Sequence, residues 1–224
     1  MSNVVSAVNE RNFVAQTIGV NPATLSPSYL RSEMLLTNSQ AYTWKFTQTG
    51  KPSSQVVATD RLLAQSDRFV VTGIAFALKQ INNASTVPTD TEHGKAILYQ
   101  FNNVKVFTQT NDANMQLLYN GAANITLDER IIYPTVAMRN FERVSTTQQG
   151  NVLAAIAGPV TYTAGRDELP YSTFGEMPTT PFAISGESKF SINVALSAAA
   201  TMNTANYYNY GVFLLRGYLA AATI

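Results

Sequence analysis

Cysteine is absent from this chain of 224 residues, and His93 is its only histidine. The absence of cysteine excludes a disulfide scaffold and a thiolate metal site, and it leaves the redox compartment open. Enzymes usually move protons or form covalent intermediates with histidine, cysteine or clustered carboxylates. A chain so poor in histidine and cysteine is more typical of a protein that packs and self-associates than of a catalyst.

Charge is also scarce, because only 13% of the residues are charged and the formal net charge is +1. Neither sign is in excess, so the chain has no long-range attraction for nucleic acid, and the arginines of residues 130–143 are offset by nearby acids. A weakly charged surface loses little hydration when another protein covers it. This suits a subunit with extensive contacts, although an ordinary domain of low charge would have the same composition.

Long apolar runs are missing as well. The longest is Gly211 to Ile224, which Arg216 interrupts and which is shorter than the roughly twenty residues of a membrane helix. Met1 to Glu10 lacks the basic start and apolar run of an export signal. We expect neither a membrane span nor an export signal in these segments.

The dominant hydrophobic period is two, which predicts β-strands with one buried face. The period is clearest at residues 190–196 and 41–47. Residues 68–81 and 208–221 are apolar on both faces, as central strands are. Shorter strand candidates are residues 96–101, 105–108, 122–127, 130–133, 137–143 and 160–163. Many short strands separated by turns favour an all-β fold, an antiparallel sandwich or barrel.

Helix is sparse in this reading. Asp112 to Tyr119 has a capping residue followed by apolar residues on one face, and Ser28 to Leu36 begins in the same way. We therefore expect one or two short helices.

Residues 1–36 differ from the rest, because their apolar residues show no sustained period and Pro22 and Pro27 follow them. This pattern predicts an extended N-terminal arm, ahead of a β-sandwich domain at residues 37–224. Such an arm would lie on a neighbouring subunit or along its own domain. The arm residues that would form a subunit interface are Phe13, Val14, Ile18, Val20, Tyr29 and Leu30. A second unusual segment, Gly158 to Pro181, is rich in proline and glycine and predicts a long loop.

The chain contains no phosphate-binding loop, no zinc-protease motif and no nucleophile elbow. His93 lies in the polar stretch Thr89 to Gly94, which predicts an exposed turn rather than part of a catalytic triad or a divalent-ion site. The acidic pairs Asp128-Glu129 and Asp167-Glu168 are adjacent in sequence, and neighbours on a strand face opposite ways. We predict no catalytic, cofactor-binding or metal-binding residue, while two carboxylates from distant segments leave a glycosidase as a remaining alternative.

Tyr207, Tyr208 and Tyr210 stand close together with Asn206 and Asn209 between them. Flat rings beside amides are able to stack on a sugar and bond its hydroxyl groups. Aromatic clusters also form subunit interfaces and strand edges. The sequence leaves both interpretations open.

Taken together, the apolar arm, the many strands and the last strand, Tyr210 to Leu219, resemble the jelly-roll capsid proteins of icosahedral viruses, particularly bacteriophages. The segments Thr59 to Leu63, Arg68 to Gly73 and Val144 to Gly150 are also similar to stretches of phage structural proteins. The resemblance implies eight strands in two facing sheets, side-to-side contacts around symmetry axes, and termini that tie neighbouring subunits together.

From this resemblance we expect a capsid subunit that binds copies of itself and other virion proteins, assembles in the host cytoplasm and resides in the virion. It implies no enzymatic activity and no cofactor. The alternative is a β-sandwich module that binds a receptor or a carbohydrate on a virion or cell surface.

Overall fold

The computed structural model describes residues 2–82, 88–101, 107, 112–143, 180–201 and 207–220, and the side chains of these residues except 2–7, 82, 112 and 113. Its helices are α1 (Ser2–Ile18), α2 (Asp90–Lys95) and α3 (Asp112–Asn120), with 3-10 turns at Pro22–Thr24, Ser53–Gln55 and Met138–Phe141. Its strands are β1 (Leu25–Leu35), β2 (Ser39–Lys45), β3 (Arg68–Asn82), β4 (Leu98–Tyr99), β5 (Ala122–Leu127), β6 (Arg130–Ala137), β7 (Phe182–Ser185), β8 (Phe190–Ala200) and β9 (Tyr207–Ala220).

The strands form two antiparallel sheets. Sheet A has the order β1-β9-β3-β4, and β7 pairs with residues 68–71 at the start of β3, whereas β4 pairs with residues 78–79 near its end. Sheet B has the order β2-β8-β5-β6. The described part of the chain is therefore mostly β, with few helices, as the hydrophobic period predicts.

The inner faces of the two sheets share one hydrophobic core. Sheet B contributes Trp44, and sheet A contributes Phe76 and Phe213. The Trp44 ring meets the Phe213 ring edge-on with centroids 5.0 Å apart, and its indole N–H donates to the Gly211 carbonyl at 2.8 Å. Because the indole donor is satisfied inside the core, burying this polar atom costs little.

The outer face of sheet A is also covered, which explains why β3 and β9 are apolar on both sides. Val14 and Ala15 of α1 pack against Val70 and Tyr218, near the end of the sheet. Gly19 ends α1 in a left-handed conformation (φ 70°). The next amide then bonds back to the Ala15 carbonyl, as in a Schellman cap. This cap turns the chain from the helix toward β1.

The extended arm predicted for residues 1–36 is corrected by this arrangement. Residues 2–18 are helical, and β1 pairs along its whole length with β9. The boundary predicted after residue 36 would therefore separate an edge strand from its own sheet. The sequence hid the helix because α1 buries only a narrow strip of side chains and so shows little periodicity.

The structure confirms some of the other predicted elements and contradicts others. Strands at residues 41–47, 68–81, 122–127, 190–196 and 208–221 are confirmed within a few residues, as is the helix that begins at Asp112. The helix predicted at Ser28 to Leu36 is wrong, because sheet pairing with β9 prevails over local helical preference there. The strand predicted at residues 137–143 is largely a 3-10 turn. Residues 160–163, and nearly all of the loop predicted at 158–181, lie outside the described residues.

Candidate functional site: a buried charged cluster beside a cavity

Four polar side chains come together on the outer face of sheet A. The register pairs Leu35 with Tyr210 and Tyr210 with Lys79, and Glu33 precedes Leu35 on the same face of β1. Arg31 stands two residues further along β1, where side chains again point to that face. The sheet itself therefore places two cations, one carboxylate and one phenol together.

Glu33 is the centre of this cluster, and its side chain has no exposure to solvent. One of its carboxylate oxygens accepts from Arg31 Nε at 2.7 Å and from the Thr59 hydroxyl at 2.6 Å. The other accepts from Lys79 Nζ. Burial alone would raise the pKa of Glu33, but the neighbouring His93 ring and the charges of Lys79 and Arg31 hold that pKa well below its usual range. Glu33 is thus a fixed carboxylate and a poor proton acceptor.

A second ion pair lies directly beside the first, in the segment between β2 and β3. Lys51 Nζ donates to Asp60 Oδ2 at 2.5 Å and to the Glu33 carbonyl at 2.7 Å. Asp60 also accepts from the backbone amides of Val57 and Glu33. Burial raises the pKa of Asp60, and the Lys51 charge and these hydrogen bonds act against that rise. The pair fixes the 51–60 segment against β1.

His93 is brought to the cluster by α2. Thr89 caps this helix, accepting from the Glu92 amide while the Glu92 carboxylate accepts from the Thr89 amide. The ring of His93 is buried, with Nδ1 3.1 Å from Lys79 Nζ and its centroid 4.9 Å from that of Tyr210. Nδ1 lies between the Lys79 ammonium group and the Glu33 carboxylate, 3.6 Å from Glu33 Oε2, and whether it donates or accepts is set by the tautomer of the ring.

The expectation of an exposed turn around His93 is therefore wrong. The stretch Thr89 to Gly94 is polar because it caps a short helix and presents its other side to solvent, whereas its one imidazole points inward.

A cavity of about 470 Å³ opens beside the cluster. Its wall includes the β1–β2 corner, part of the 51–60 segment and the start of α2. Glu33, Lys51, His93 and Tyr210 lie on its lining, and the exposed Lys45 and Asp90 stand at its rim. Burial, and next the charge of Glu33, raises the pKa of Tyr210 to about 12, so its hydroxyl keeps its proton at neutral pH.

The predicted tyrosine group is divided by the pleat of β9. Tyr208 and Tyr210 share the outer face of the strand, and Tyr207 points the other way. Tyr210 is buried, and the other two are half-buried. The three rings do not form one stacking platform.

The predicted arm residues also separate by burial. Val14 and Leu30 are buried within their own chain, so this fold leaves neither to a neighbouring subunit. Ile18 and Val20 are partly buried against the Val14 cluster. Phe13 is 51% exposed and Tyr29 is 36% exposed. A contact of this segment with another subunit stays a prediction, now centred on Phe13 and Tyr29.

The carboxylate pair Asp128-Glu129 forms the tight turn between β5 and β6, where both residues have positive φ and both are exposed. Glu129 pairs with Lys189 at 3.0 Å. The pair Asp167-Glu168 lies outside the described residues. In the described ranges, no group of three histidine, aspartate or glutamate side chains is placed to hold a metal ion.

Sequence reasoning missed the charged cluster, although a signal for it exists. Lys79 interrupts the apolar run that forms β3, and Arg31 and Glu33 alternate along β1 at the spacing of one strand face. A lysine inside a central strand needs a buried partner, which points to an acid on a neighbouring strand. The neighbour of β3 could not be identified without the sheet order.

Comparison of the chain with protein-family models, with curated proteins and with solved structures finds no match. Of the helices in the described ranges, none combines the length and the hydropathy that crossing a membrane requires.

Proposed function

We propose that this protein is a structural subunit of a virus particle, a capsid protein that assembles with copies of itself and with other virion proteins. The observation that carries the proposal is the pairing of the strands in the two sheets. Jelly rolls are the architecture of many capsid proteins, although lectin domains and cupins share it.

The strand pairs support a jelly roll once the two-residue strand β4 is set aside, which leaves eight strands. In a jelly roll the first strand pairs with the eighth, the second with the seventh, the third with the sixth and the fourth with the fifth. The corresponding pairs here are β1–β9, β2–β8, β3–β7 and β5–β6, all antiparallel. The sheet orders β1-β9-β3-β7 and β2-β8-β5-β6 are those of its two facing sheets.

A rigid core and a surface of low charge favour the repeated side-to-side contacts of a shell. A sandwich with one aromatic core is a rigid block, and a surface of low charge loses few hydrated ions when a neighbour covers it. Contacts closed by point-group symmetry are cooperative, because removing one subunit breaks several interfaces together. Phe13 and Val8, both about half exposed on α1, offer apolar area for such a contact.

The test is assembly of the purified full chain, followed by light scattering after size exclusion and by negative-stain electron microscopy. Closed shells or stable rings support the proposal. A monomer of 24.4 kDa at every salt and protein concentration contradicts it.

A matched pair of variants on α1 tests the contact itself. Phe13→Ser removes an exposed ring, and Gln16→Ser alters an exposed polar residue one helical turn away. We expect both variants to unfold at the wild-type temperature, and only Phe13→Ser to lose closed particles. Equal assembly of the two variants would remove Phe13 from the interface.

The runner-up function is a surface module that binds a receptor or a carbohydrate, and the cavity beside Tyr210 is the observation that favours it. A glycan-binding screen of the wild type and of Tyr210→Phe tests this alternative. Glycan binding by a non-assembling monomer would move this function to first place.

A further inference from the structure

The cavity beside the charged cluster lies between the edges of the two sheets. Its lining includes Leu35 of β1 and both Thr43 and Lys45 of β2. β1 is an edge strand of sheet A, and β2 is an edge strand of sheet B. An edge strand presents main-chain N–H and C=O groups with which a further strand is able to pair. The direction of these groups therefore decides what kind of ligand the cavity favours.

Hydrogen bonds at the strand ends show which residues point to the free edges. The Leu36 amide donates to the Asn209 carbonyl, so the even-numbered residues of β1 bond β9 and the odd-numbered ones point away from it. In sheet B the Asp128 amide donates to the Lys189 carbonyl, so the odd-numbered residues of β8 bond β5 and the even-numbered ones bond β2. By the register of β2 with β8, the main-chain groups of residues 43 and 45 then point to the free edge.

The chain itself covers the edge of β1 only as far as Glu33. The main chain of Arg31 pairs with that of Arg61. The Glu33 amide donates to the Asp60 carboxylate, and the Glu33 carbonyl accepts from Lys51. The cavity begins where this cover ends, at the next outward residue of β1.

Three outward positions have no main-chain partner in the described part of the chain: Leu35, Thr43 and Lys45. Thr43 and Lys45 are two residues apart, so they present their N–H and C=O groups at a repeat of about 7 Å along β2. An extended peptide carries the complementary groups at the same repeat, which is how an added strand gains affinity from its main chain. The edge of β2 therefore selects a peptide by its main chain.

A buried hydroxyl group in the lining supports a ligand independently. Ser32 lies on β1 between two residues of the outer face, so its side chain points to the inner face. It is fully buried, it lines the cavity, and its Oγ has no hydrogen-bond partner among the described residues. Buried polar side chains are in the large majority hydrogen-bonded, so a polar atom of a ligand would satisfy this one.

The walls of the cavity restrict the partner to a single segment. Part of the 51–60 segment and the start of α2 line it together with the two strand edges, and its volume is about 470 Å³. A space of this size and cover holds a short extended segment and not the edge of a second folded sheet. All nine strands of the described residues are already paired in their own sheets, so a second copy has none of them to offer as a free segment.

We propose that this cavity binds an extended segment of another protein, which adds to sheet B beside β2. The residue of that segment opposite Trp44 turns its side chain to the inner face, and the residues on either side of it face outward. Because Trp44 and Ser32 are both buried, we expect an uncharged side chain at this inner position. The proposal does not depend on the capsid function, since both strand edges belong to one chain.

Trp44 gives a direct measurement, because it is the only tryptophan and it lines the cavity. The probe is a short peptide of alternating serine and valine with blocked ends, titrated into the full-length protein while Trp44 fluorescence is recorded. The control is the same peptide with every main-chain nitrogen methylated, which keeps the side chains and removes the main-chain donors. We expect a saturable change with the unmethylated peptide alone, with a dissociation constant on the order of millimolar, since a flexible peptide loses conformational freedom on binding.

Two proline variants connect this binding to the edge of β2. Thr43→Pro removes one outward N–H group, and proline is tolerated where the N–H of an edge strand faces solvent. Ala137→Pro makes the same change on β6 at the opposite edge of sheet B, outside the cavity lining, where the φ of −67° already suits proline. We expect Thr43→Pro to weaken peptide binding about fivefold, the usual effect of one hydrogen bond, and Ala137→Pro to bind as the wild type does.

Urea unfolding of both variants checks that they are folded, and if Thr43→Pro is not, the two peptides on the wild type still decide. Equal binding of the two peptides would overturn the proposal, since the affinity would then come from side chains and not from main-chain pairing. Equal binding by the two folded proline variants would also overturn it, because the peptide would then lie elsewhere. Self-association of the purified protein that Thr43→Pro abolishes would overturn the choice of partner and assign the edge to a second copy.

Discussion

Replacing Lys79 by methionine tests whether the charged cluster holds the outer face of sheet A together. Methionine has nearly the length of lysine and no charge, so Lys79→Met removes one partner of the buried pair without leaving a large hole. Glu33 keeps Arg31, but it loses its contact with the ammonium group while it stays fully buried. The variant therefore leaves a carboxylate that is only partly compensated.

The expected cost is large for a single substitution. Removing one partner of a buried ion pair destabilises proteins by about 3 to 5 kcal/mol, because the remaining charge has lost its compensation. For a chain of this size a urea m-value of about 2 to 3 kcal/mol/M is usual, so the urea midpoint should fall by about 1 to 2.5 M. The intensity and wavelength of fluorescence from the single tryptophan, Trp44, follow unfolding of the core directly.

Lys189→Met is the matched control, because Lys189 forms its ion pair with Glu129 almost entirely in solvent. Exposed pairs contribute little, so the midpoint of this variant should stay close to that of the wild type. Equal losses for the two variants would refute the argument, since the loss would then come from lysine replacement and not from a buried charge.

The pH dependence of the stability of Lys79→Met distinguishes an uncompensated charge from a packing defect. The pKa of Glu33 is lowered on folding, so its contribution to stability is complete above its unfolded value of about 4.5 and is lost as the pH falls below that value. In Lys79→Met the carboxylate loses a cation, its pKa rises, and protonation in mild acid removes the uncompensated charge. The deficit of the variant relative to wild type should therefore shrink between about pH 7 and pH 4. A deficit that is constant with pH would place its origin in packing instead.

Two further predictions concern β9. The pKa of Tyr210 is raised to about 12, so the free energy of unfolding should fall as pH rises from about 10 to 12, and Tyr210→Phe should reduce that fall in urea titrations at about pH 9 and pH 11. A β-carbon at Gly217 would lie 1.7 Å from the Val70 carbonyl oxygen, across from the bulge in β3. Gly217→Ala should therefore cost at least about 1 to 3 kcal/mol in the same assay, and an unchanged midpoint would contradict this close approach.

The sequence predicts the strands of the core well because burial on one face leaves a period of two. Phe190, Ile192 and Val194 face inward, and their neighbours along β8 are half-buried or exposed. At β1 the same reasoning fails, since Arg31 and Glu33 stand on the covered outer face where an apolar residue would be expected. The helix predicted at Ser28 to Leu36 came from a capping serine followed by apolar residues, and that local pattern contains nothing about the pairing of β1 with β9.

The candidate site depends on pairings that no local pattern contains. Glu33 and Lys79 are 46 residues apart and sit on strands that are both neighbours of β9. Only the order β1-β9-β3 brings them to one face. His93 arrives from a third segment, and its inward orientation follows from the position of α2 against the sheet, which a polar hexapeptide does not encode.

The charged cluster has a physical meaning beyond its net stability. Apolar residues in its place would often be as stable, since desolvation offsets much of the attraction in a buried ion pair. Apolar contacts are also non-directional, and a flat sheet face would tolerate several positions of the segments that cover it. Glu33 instead bonds Thr59 of one covering segment and contacts His93 of another, while Lys51 bonds the Glu33 carbonyl. Hydrogen bonds and ion pairs are directional, so the cluster fixes the positions of the 51–60 segment and of α2 on sheet A. The positions of these two segments in turn set the shape of the cavity that they line.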